Sequence, residues 1–370
     1  MRSWHARLVS GRAWTRRRLL GLMAATAGCS LMVAPLGGGG PAWSGPRGTV
    51  WVTNQTLNTV AAYDARTGAL LRTVGVGAKP IGVVAPPGTD KVYVSNESDD
   101  TISVIDRRGG ATSLVKVGDG PHHMVHSSGG RFVYFGEFNA NTVGVIDTRD
   151  DSYRHFVASA SPTAKTHAVW ISRDGRTLYA VNSEADTFTA LDAATGTPRW
   201  FDVPVGDQPS EVLVTRNGRT AYISIRAEDK IGVFDLTGGS PRKVAEVAVG
   251  DQPDTLQLTP DGRTLVVALR GSFASPVGAG SLQPTSTAAR VDLVDTRGLR
   301  VRSVWIAGAT TTGHQWLSAD GRRTFVAIES VAGSPLPPGV AVIDNHRAKV
   351  VATWAYPGGG RPHGVYFERR

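Results

Sequence analysis

Short runs of apolar residues alternate with turn residues along most of the chain. Within residues 91–130, four runs follow one another: VYVSN, TISVID, SLVKVG and HMVHSS. Each run is rich in Val, Ile, Tyr and Thr and is bounded by Gly, Asp, Asn or Pro, which is typical of short strands joined by turns. A sheet of four such strands has two apolar faces and cannot bury both alone. The pattern therefore predicts several copies of this sheet that stack on one another.

The copies are visible as a repeat. A strand sequence that ends in aspartate recurs with spacings of 42, 41, 45, 43, 60 and 49 residues. The seven aspartates are Asp64, Asp106, Asp147, Asp192, Asp235, Asp295 and Asp344. A hairpin turn with Asp-Gly or Asn-Gly also recurs, in SRDGRT, TRNGRT, TPDGRT and SADGRR. A period of about 40–45 residues with four strands per repeat is typical of propeller blades. The sequence predicts an all-β fold, a seven-bladed β-propeller of four-stranded antiparallel blades.

The repeat also resembles a known family. The segment VYVSNESDDTISVID is similar to the units of the YVTN-repeat (YncE-like) family, and the resemblance extends over nearly all of residues 48–370. It implies a seven-bladed propeller that is commonly exported. It does not imply one activity, because this scaffold carries binding proteins, surface proteins and enzymes.

The first 42 residues read as an export signal, and residues 43–370 as the propeller domain. TRRRLLG at 15–21 resembles a twin-arginine signal and precedes an apolar run. Small residues before Trp43 suit cleavage, whereas the sequence around Cys29 resembles a lipoprotein processing site. We therefore expect an exported protein that is extracellular, periplasmic or associated with the cell envelope. Its only predicted link to a membrane is a lipid anchor at Cys29.

Charge and cysteine content narrow the partners. The net charge is +9, and it falls to +3 without the six arginines of residues 1–18. Nucleic acid is therefore disfavoured as a partner. Cys29 is the only cysteine, so the predicted propeller has no disulfide and depends on buried core. We expect a monomer that meets a small molecule or a protein partner.

The two ends of the domain predict how the ring closes. Residues 49–55 have a second-strand sequence and residues 363–370 a first-strand sequence, so the C-terminal strand should complete the N-terminal blade. The loops then sort onto two faces. We call top the face with the loops from strand 4 to strand 1 and from strand 2 to strand 3, and bottom the opposite face. The seven aspartates fall at the bottom, where we interpret them as turn caps.

Candidate chemistry collects at the top. Five histidines lie at the start of first strands, which are innermost in a propeller: His122, His123, His167, His314 and His363. Glu211 and Asp254 occupy equivalent positions in other blades. Charged residues of the loops from strand 2 to strand 3 share this face: Glu97, Glu137, Glu184, Arg226, Arg270 and Glu329. Imidazoles with carboxylates suit a divalent transition metal, Cu or Zn. Alternatively, the histidines bond neighbouring blades and the acids form a solvated rim.

Two functions remain open. The first is a binding protein that holds a small ligand, metal ion or protein partner at the top mouth of the channel. The alternative is a metal-dependent enzyme, lyase-like or lactonase- or hydrolase-like, in which a histidine or glutamate is the general base. No P-loop, HExxH, GxSxG or CxxC motif supports other chemistry. A Gly-, Ser- and Pro-rich insertion at 270–290 is either a lid over the mouth or a neutral surface loop.

Overall fold

The computed structural model describes residues 45–369 except 109, 111, 272, 275–282, 285–288 and 330–333. The predicted export signal of residues 1–42, with Cys29, lies outside the described residues, and so does most of the predicted lid. The export signal, the lid and the domain boundary at residue 43 therefore stay predictions.

Within the described residues, twenty-eight strands form seven sheets, each with four antiparallel strands. The chain begins with β1 (Gly48–Asn54), β2 (Thr59–Asp64) and β3 (Leu70–Gly75) of the closing blade. Blade 1 has β4 (Pro80–Val84), β5 (Lys91–Asn96), β6 (Thr101–Asp106) and β7 (Thr112–Lys116). Blade 2 has β8 (Pro121–His126), β9 (Phe132–Glu137), β10 (Thr142–Asp147) and β11 (Ser152–Val157). Blade 3 has β12 (Thr166–Ile171), β13 (Thr177–Asn182), β14 (Thr187–Asp192) and β15 (Pro198–Pro204).

The remaining blades follow the same order. Blade 4 has β16 (Pro209–Val214), β17 (Thr220–Ile225), β18 (Lys230–Asp235) and β19 (Arg242–Ala248). Blade 5 has β20 (Pro253–Leu258) and β21 (Thr264–Leu269), then the short hairpin β22 (Phe273–Ala274) and β23 (Gln283–Pro284), then β24 (Ala289–Asp295) and β25 (Val301–Ile306). Blade 6 has β26 (Thr312–Leu317), β27 (Arg323–Ile328), β28 (Gly339–Asp344) and β29 (Lys349–Ala355). Strand β30 (Pro362–Arg369) returns to the closing blade.

The ring closes as the sequence predicts. Strand β30 pairs antiparallel with β1, with Trp51 opposite Tyr366 and Val52 opposite Val365. The indole of Trp51 also donates a hydrogen bond of 2.8 Å to Glu368. The first strands β4, β8, β12, β16, β20, β26 and β30 are neighbours in a closed inner ring. The predicted all-β propeller with non-covalent closure is therefore confirmed.

Packing between blades buries the middle strands on both faces. Strand β5 is buried from Val92 to Asn96 because its Val and Tyr side chains pack on blades at either side. The fourth strands are the outer edge of each blade and are the most exposed, and in β7 four of the five residues are exposed. Among the described residues the only helix is a 3-10 turn at Arg226–Glu228, and none is long and apolar enough to cross a membrane.

The seven repeated aspartates are turn caps, as interpreted from the sequence. In the turn after β2, Asp64 Oδ1 accepts hydrogen bonds from the backbone N–H of Arg66 and Thr67. The equivalent carboxylates accept backbone N–H groups two or three residues ahead. Each bottom turn therefore satisfies its own polar groups.

Candidate functional site

A bulge at the start of each first strand turns its second and third residues toward the axis. Strand β8 pairs Pro121 with Glu137 and Met124 with Phe135, so it has one residue more than its partner between these pairs. The other first strands show the same register shift near their first residue. An extra residue breaks the alternation of a strand and re-aims side chains. The consecutive residues His122 and His123 therefore lie side by side, with their rings stacked at 4.8 Å.

The five predicted histidines form one contiguous cluster on the axis. We call His122, His123, His167, His314 and His363 the axial cluster. The ring centroids of His122 and His123 lie 4.5 Å from that of His167. His314 lies 4.1 Å from His123 and 4.2 Å from His363. All five side chains are buried. The structure thus brings together every imidazole that the repeat alignment placed at the channel mouth.

Carboxylates and a carbonyl determine the tautomers of three rings. Nδ1 of His123 lies 3.0 Å from Glu211 Oε2, and Nδ1 of His363 contacts Glu329 Oε1. Nδ1 of His167 lies 2.5 Å from the carbonyl oxygen of Ser210. Because these oxygens can only accept, Nδ1 carries the proton in each ring and Nε2 keeps a lone pair. Zinc- and copper-binding histidines commonly have such an oriented second nitrogen.

Several ring nitrogens of the axial cluster lack a partner. His122 Nδ1 and the Nε2 atoms of His123, His314 and His363 are buried and make no hydrogen bond to a described residue. One ring nitrogen from each of His122, His123 and His167 lies within 4.8 Å of the other two. Buried polar atoms without partners cost about 1–3 kcal/mol each, so a bound group that satisfied several of these nitrogens together would stabilise the protein. Their donor type and oriented second nitrogens fit a borderline metal such as Zn or Cu.

Burial favours the neutral form of four of the imidazoles. Burial, followed by the neighbouring histidines, lowers the pKa of His122 well below its usual value. Burial also lowers the pKa of His167, His314 and His363. Neutral rings with free lone pairs are the form that binds metal. Burial raises the pKa of the Glu211 carboxyl, although His123 opposes this.

An ion-pair network borders the cluster. Asp254 is fully buried and contacts Arg226, and its second oxygen lies 3.5 Å from Arg270. Burial alone would raise its pKa, but these two guanidinium groups outweigh burial and hold the pKa well below the usual range. Arg226 also lies 3.3 Å from His167 Nε2. Asp254, Arg226 and Arg270 therefore place charged groups next to the axial cluster.

Glu329 is the second centre of this network. Its carboxylate contacts His363 and lies 2.8 Å from Arg361 and 3.8 Å from Arg270. Burial opposes ionisation, yet His363 and the arginines lower the pKa of Glu329 to about 2. Glu329 is thus an anion that orients His363.

Position along the second strand decides which predicted loop residues reach the axis. The residue that follows the last residue of a second strand faces the axis. This position is held by Glu97, Arg226, Arg270 and Glu329. Glu97 Oε2 lies 4.0 Å from His122 Nε2. Glu137 is one position earlier, and its carboxylate bonds Tyr153 and Thr142 of the outer strands. Glu184 is one position later, where it is half exposed and pairs with Lys165 at 3.6 Å. Glu137 and Glu184 therefore do not join the cluster.

The same register reveals residues that the sequence interpretation missed. Phe138 holds this position in blade 2, and its ring stacks on His122 at 5.0 Å and lies 5.3 Å from His167. Arg361, before β30, was missed because it is in a different loop. Counting from the last residue of each second strand would have identified Phe138, whereas nothing in the repeat marks Arg361.

The channel is narrow below the cluster. A cavity of about 40 Å³ extends from His123 and His314 past Gln315 to Trp170 and Trp316. This volume suits one or two waters or an ion and is too small for a sugar-sized molecule.

The fold and the site define a seven-bladed propeller with a buried histidine cluster at one end of its axis. A family model described as "Lactonase, 7-bladed beta-propeller" matches residues 79–277. Because this match covers more than half of the chain, the protein belongs to that lactonase propeller family. No curated protein matches the sequence.

Solved structures share the architecture at low identity. A protein of unknown function from Desulfotomaculum acetoxidans has a TM-score of 0.67 at 14% identity, covering 87% of this chain and 99% of that one. The periplasmic gluconolactonase of Pseudomonas aeruginosa has a TM-score of 0.63 at 20% identity, covering 87% and 99%. A putative 6-phosphogluconolactonase from Bacteroides uniformis has a TM-score of 0.63 at 16% identity, covering 86% of this chain and 98% of that one. At these identities the likeness concerns the fold.

Proposed function

We propose that this protein is an exported propeller that binds a divalent transition metal, Cu or Zn, at the axial cluster. One observation carries the proposal: four buried ring nitrogens have no hydrogen-bond partner among the described residues. Repeat packing alone would favour satisfied nitrogens, since unsatisfied buried groups destabilise a fold.

His122, His123 and His167 are the proposed primary ligands, and Arg226 must give up its contact with His167 Nε2 for this nitrogen to bind the ion. Their ring nitrogens are close enough to share one ion, and three imidazoles are a common donor set for zinc. Glu211 orients His123, and Ser210 orients His167. His314 and His363 extend the donor set, and Glu329 orients His363.

Metal analysis of the full chain, purified without a histidine tag, tests the proposal. We expect about one Cu or Zn per chain and its loss in the His122→Ala/His123→Ala variant. The matched control is His155→Ala/His346→Ala, which removes two exposed histidines and should keep the metal. A metal-free wild type that takes up neither ion on addition would refute the site.

Lactone hydrolysis is the second candidate function, supported by the family and by the gluconolactonase among the structural neighbours. A bound metal would polarise the lactone carbonyl. In this case His363 would not bind the metal: oriented by Glu329, its Nε2 would accept a proton from the water whose oxygen attacks the carbonyl carbon. The same proton would then pass to the ring oxygen as the ring C–O bond breaks, which gives the hydroxy acid. Because the cavity below the cluster is small, the substrate would enter from the top face.

Proton release on addition of δ-gluconolactone tests this second function. We expect turnover by the metal-loaded chain and a loss of about 100-fold or more in His363→Gln, in line with the usual value of a general base. His155→Ala should be fully active. Metal binding without any turnover would leave the binding function and remove the hydrolase.

We also propose that the blades are YVTN-type repeats and that residues 1–42 direct export of the protein. Replacing Arg16, Arg17 and Arg18 by Lys should retain the protein in the cytoplasm, whereas Cys29→Ala should release it from the envelope only if Cys29 is lipidated. A small molecule or protein partner at the top face and a monomeric state complete the proposal, and gel filtration tests the latter.

A further inference from the structure

A second pocket lies on the bottom face, at the opposite end of the strands that carry the axial cluster. It has a volume of about 740 Å³ and is formed by the turns from strand 1 to strand 2 of blades 2 to 5. Strand β12 links the two regions, because His167 is at its start and Trp170 lines the pocket near its end. Three residues of extended strand separate these two positions by about 10 Å. A volume of this size is typical of small-molecule sites.

Two arginines at equivalent repeat positions distinguish this pocket from the rest of the bottom face. The turns are aligned by a glycine of positive φ, such as Gly175 at 72° and Gly218 at 71°. Two residues before that glycine the six turns have Pro86, Ser128, Arg173, Arg216, Pro260 and Ala319. Only blades 3 and 4, which are neighbours, have a cation there, and both arginines line the pocket.

Neither guanidinium is used by the fold. Arg173 and Arg216 are exposed, and their side chains have no ion-pair or hydrogen-bond partner among the described residues. Some arginines at the bottom face are paired: Arg149, in the turn between β10 and β11, lies 2.8 Å from Asp147. Two guanidinium groups without ion pairs, from neighbouring blades, match a phosphate or carboxylate, which they can bind by charge-assisted hydrogen bonds. Asp261 also lines the pocket, and its Oδ1 accepts hydrogen bonds from Thr259 and the backbone N–H of Arg263.

The rest of the lining suits a flat apolar body. Trp170 is half buried and lines the pocket together with Leu213, Leu258 and Pro260. Aromatic rings stack with one another at about 0.5–1.5 kcal/mol beyond burial. Between Trp170 and the histidines the channel narrows to the cavity of about 40 Å³, so a ligand in the pocket stops at Trp170 and does not reach the histidines.

We propose that this pocket binds a small aromatic anion, with its ring on Trp170 and its phosphate or carboxylate on Arg173 and Arg216. The site is separate from the axial cluster and does not depend on metal there.

Calorimetric titration of the full chain with phenyl phosphate tests the proposal. We expect one site per chain, and binding about tenfold weaker or more for inorganic phosphate and for benzyl alcohol, which supply the anion and the ring alone. The Arg173→Gln/Arg216→Gln variant should lose about tenfold or more in affinity for phenyl phosphate. The control Arg176→Gln/Arg219→Gln removes the same charge from the same two turns, outside the pocket, and should bind like wild type.

Three outcomes would overturn the proposal. The first is that folded wild type does not bind phenyl phosphate. The second is that the pocket variant and the control variant lose affinity equally. The third is that His122→Ala/His123→Ala abolishes binding while Arg173→Gln/Arg216→Gln retains it. Because all four arginines are exposed, the melting temperatures of the two pocket and control variants should match wild type. Failure of metal binding with normal phenyl phosphate binding would affect only the function proposed for the cluster.

Discussion

The aspartates at the bottom and the histidines at the top both occupy repeated positions of the blades. They differ in whether their polar atoms have hydrogen-bond partners. At the bottom, Asp64 and its equivalents accept backbone N–H groups within their own turns. At the top, His122, His123, His314 and His363 each keep a buried nitrogen without a described partner.

The aspartates stabilise the fold, whereas the unpartnered histidine nitrogens destabilise it. A turn cap stabilises its own blade and recurs in all seven copies. A buried unsatisfied nitrogen destabilises the protein, and histidines occupy only some of the equivalent positions. Where a repeat keeps costly groups at selected blades, function is the better explanation than packing.

The largest expected effect comes from removing the strand on which both regions depend. A chain that ends after Pro362 loses Val365, Tyr366 and Phe367, which are all buried. Burying each of these side chains contributes about 2 kcal/mol to the free energy of unfolding, or about 6 kcal/mol in all. This is comparable with the whole stability of a domain. We expect an unfolded or expanded protein by circular dichroism and gel filtration. A chain ending at Glu368 is the control, and a normal melting curve for the shorter chain would contradict the closure.

The next effect sharpens the comparison at the top. Metal should raise the free energy of unfolding of wild type by about 2.7 kcal/mol at a free concentration 100 times Kd. The His122→Ala/His123→Ala variant should show no such increase, whereas Asp147→Asn should show all of it. Urea titrations with and without Zn or Cu measure this. An equal response in both variants would mean that the ion binds elsewhere.

The smallest effect concerns a bottom turn. Hydrogen bonds from Arg149 outweigh burial and, with Arg131, lower the pKa of Asp147 to about 2. Since its ordinary pKa is near 3.8, the stabilisation is present above about pH 4 and is lost as the pH falls toward 2.

Replacing Asp147 by Asn tests this pH dependence. The amide keeps the turn acceptor but not the charge, so it should cost about 1 kcal/mol at pH 7, a value reduced because both arginines are largely exposed. The difference between variant and wild type should shrink below pH 4. A difference that is constant from pH 7 to pH 2 would count against the ion pairs.

Most of the fold could be predicted because the signal repeats. Seven strands ending in aspartate determined the blade number, and the phase of residues 49–55 and 363–370 predicted the closure. The position of the histidines followed from the same phase. The side-chain direction of single loop residues did not, since Glu137 and Glu329 differ by one register position and hence by the face on which they lie.

The ion pairs could not be predicted because they join different blades. Arg226 meets Asp254 and Arg361 meets Glu329 through contacts between neighbouring sheets. Their partners depend on how closely adjacent first strands approach. A Cβ at Gly364 would overlap the carbonyl oxygen of Ile81, so this small residue allows the closing strand to come near.

The position of His363 on β30 has a mechanical consequence. Strand β30 is joined to β1 without a covalent bond, so a pulling force on the ring would first open the closing blade between these two strands. An ion held by His363 together with His122 and His123 of blade 2 would bridge this joint across the axis, and the metal-free protein would open at a lower force than the loaded one.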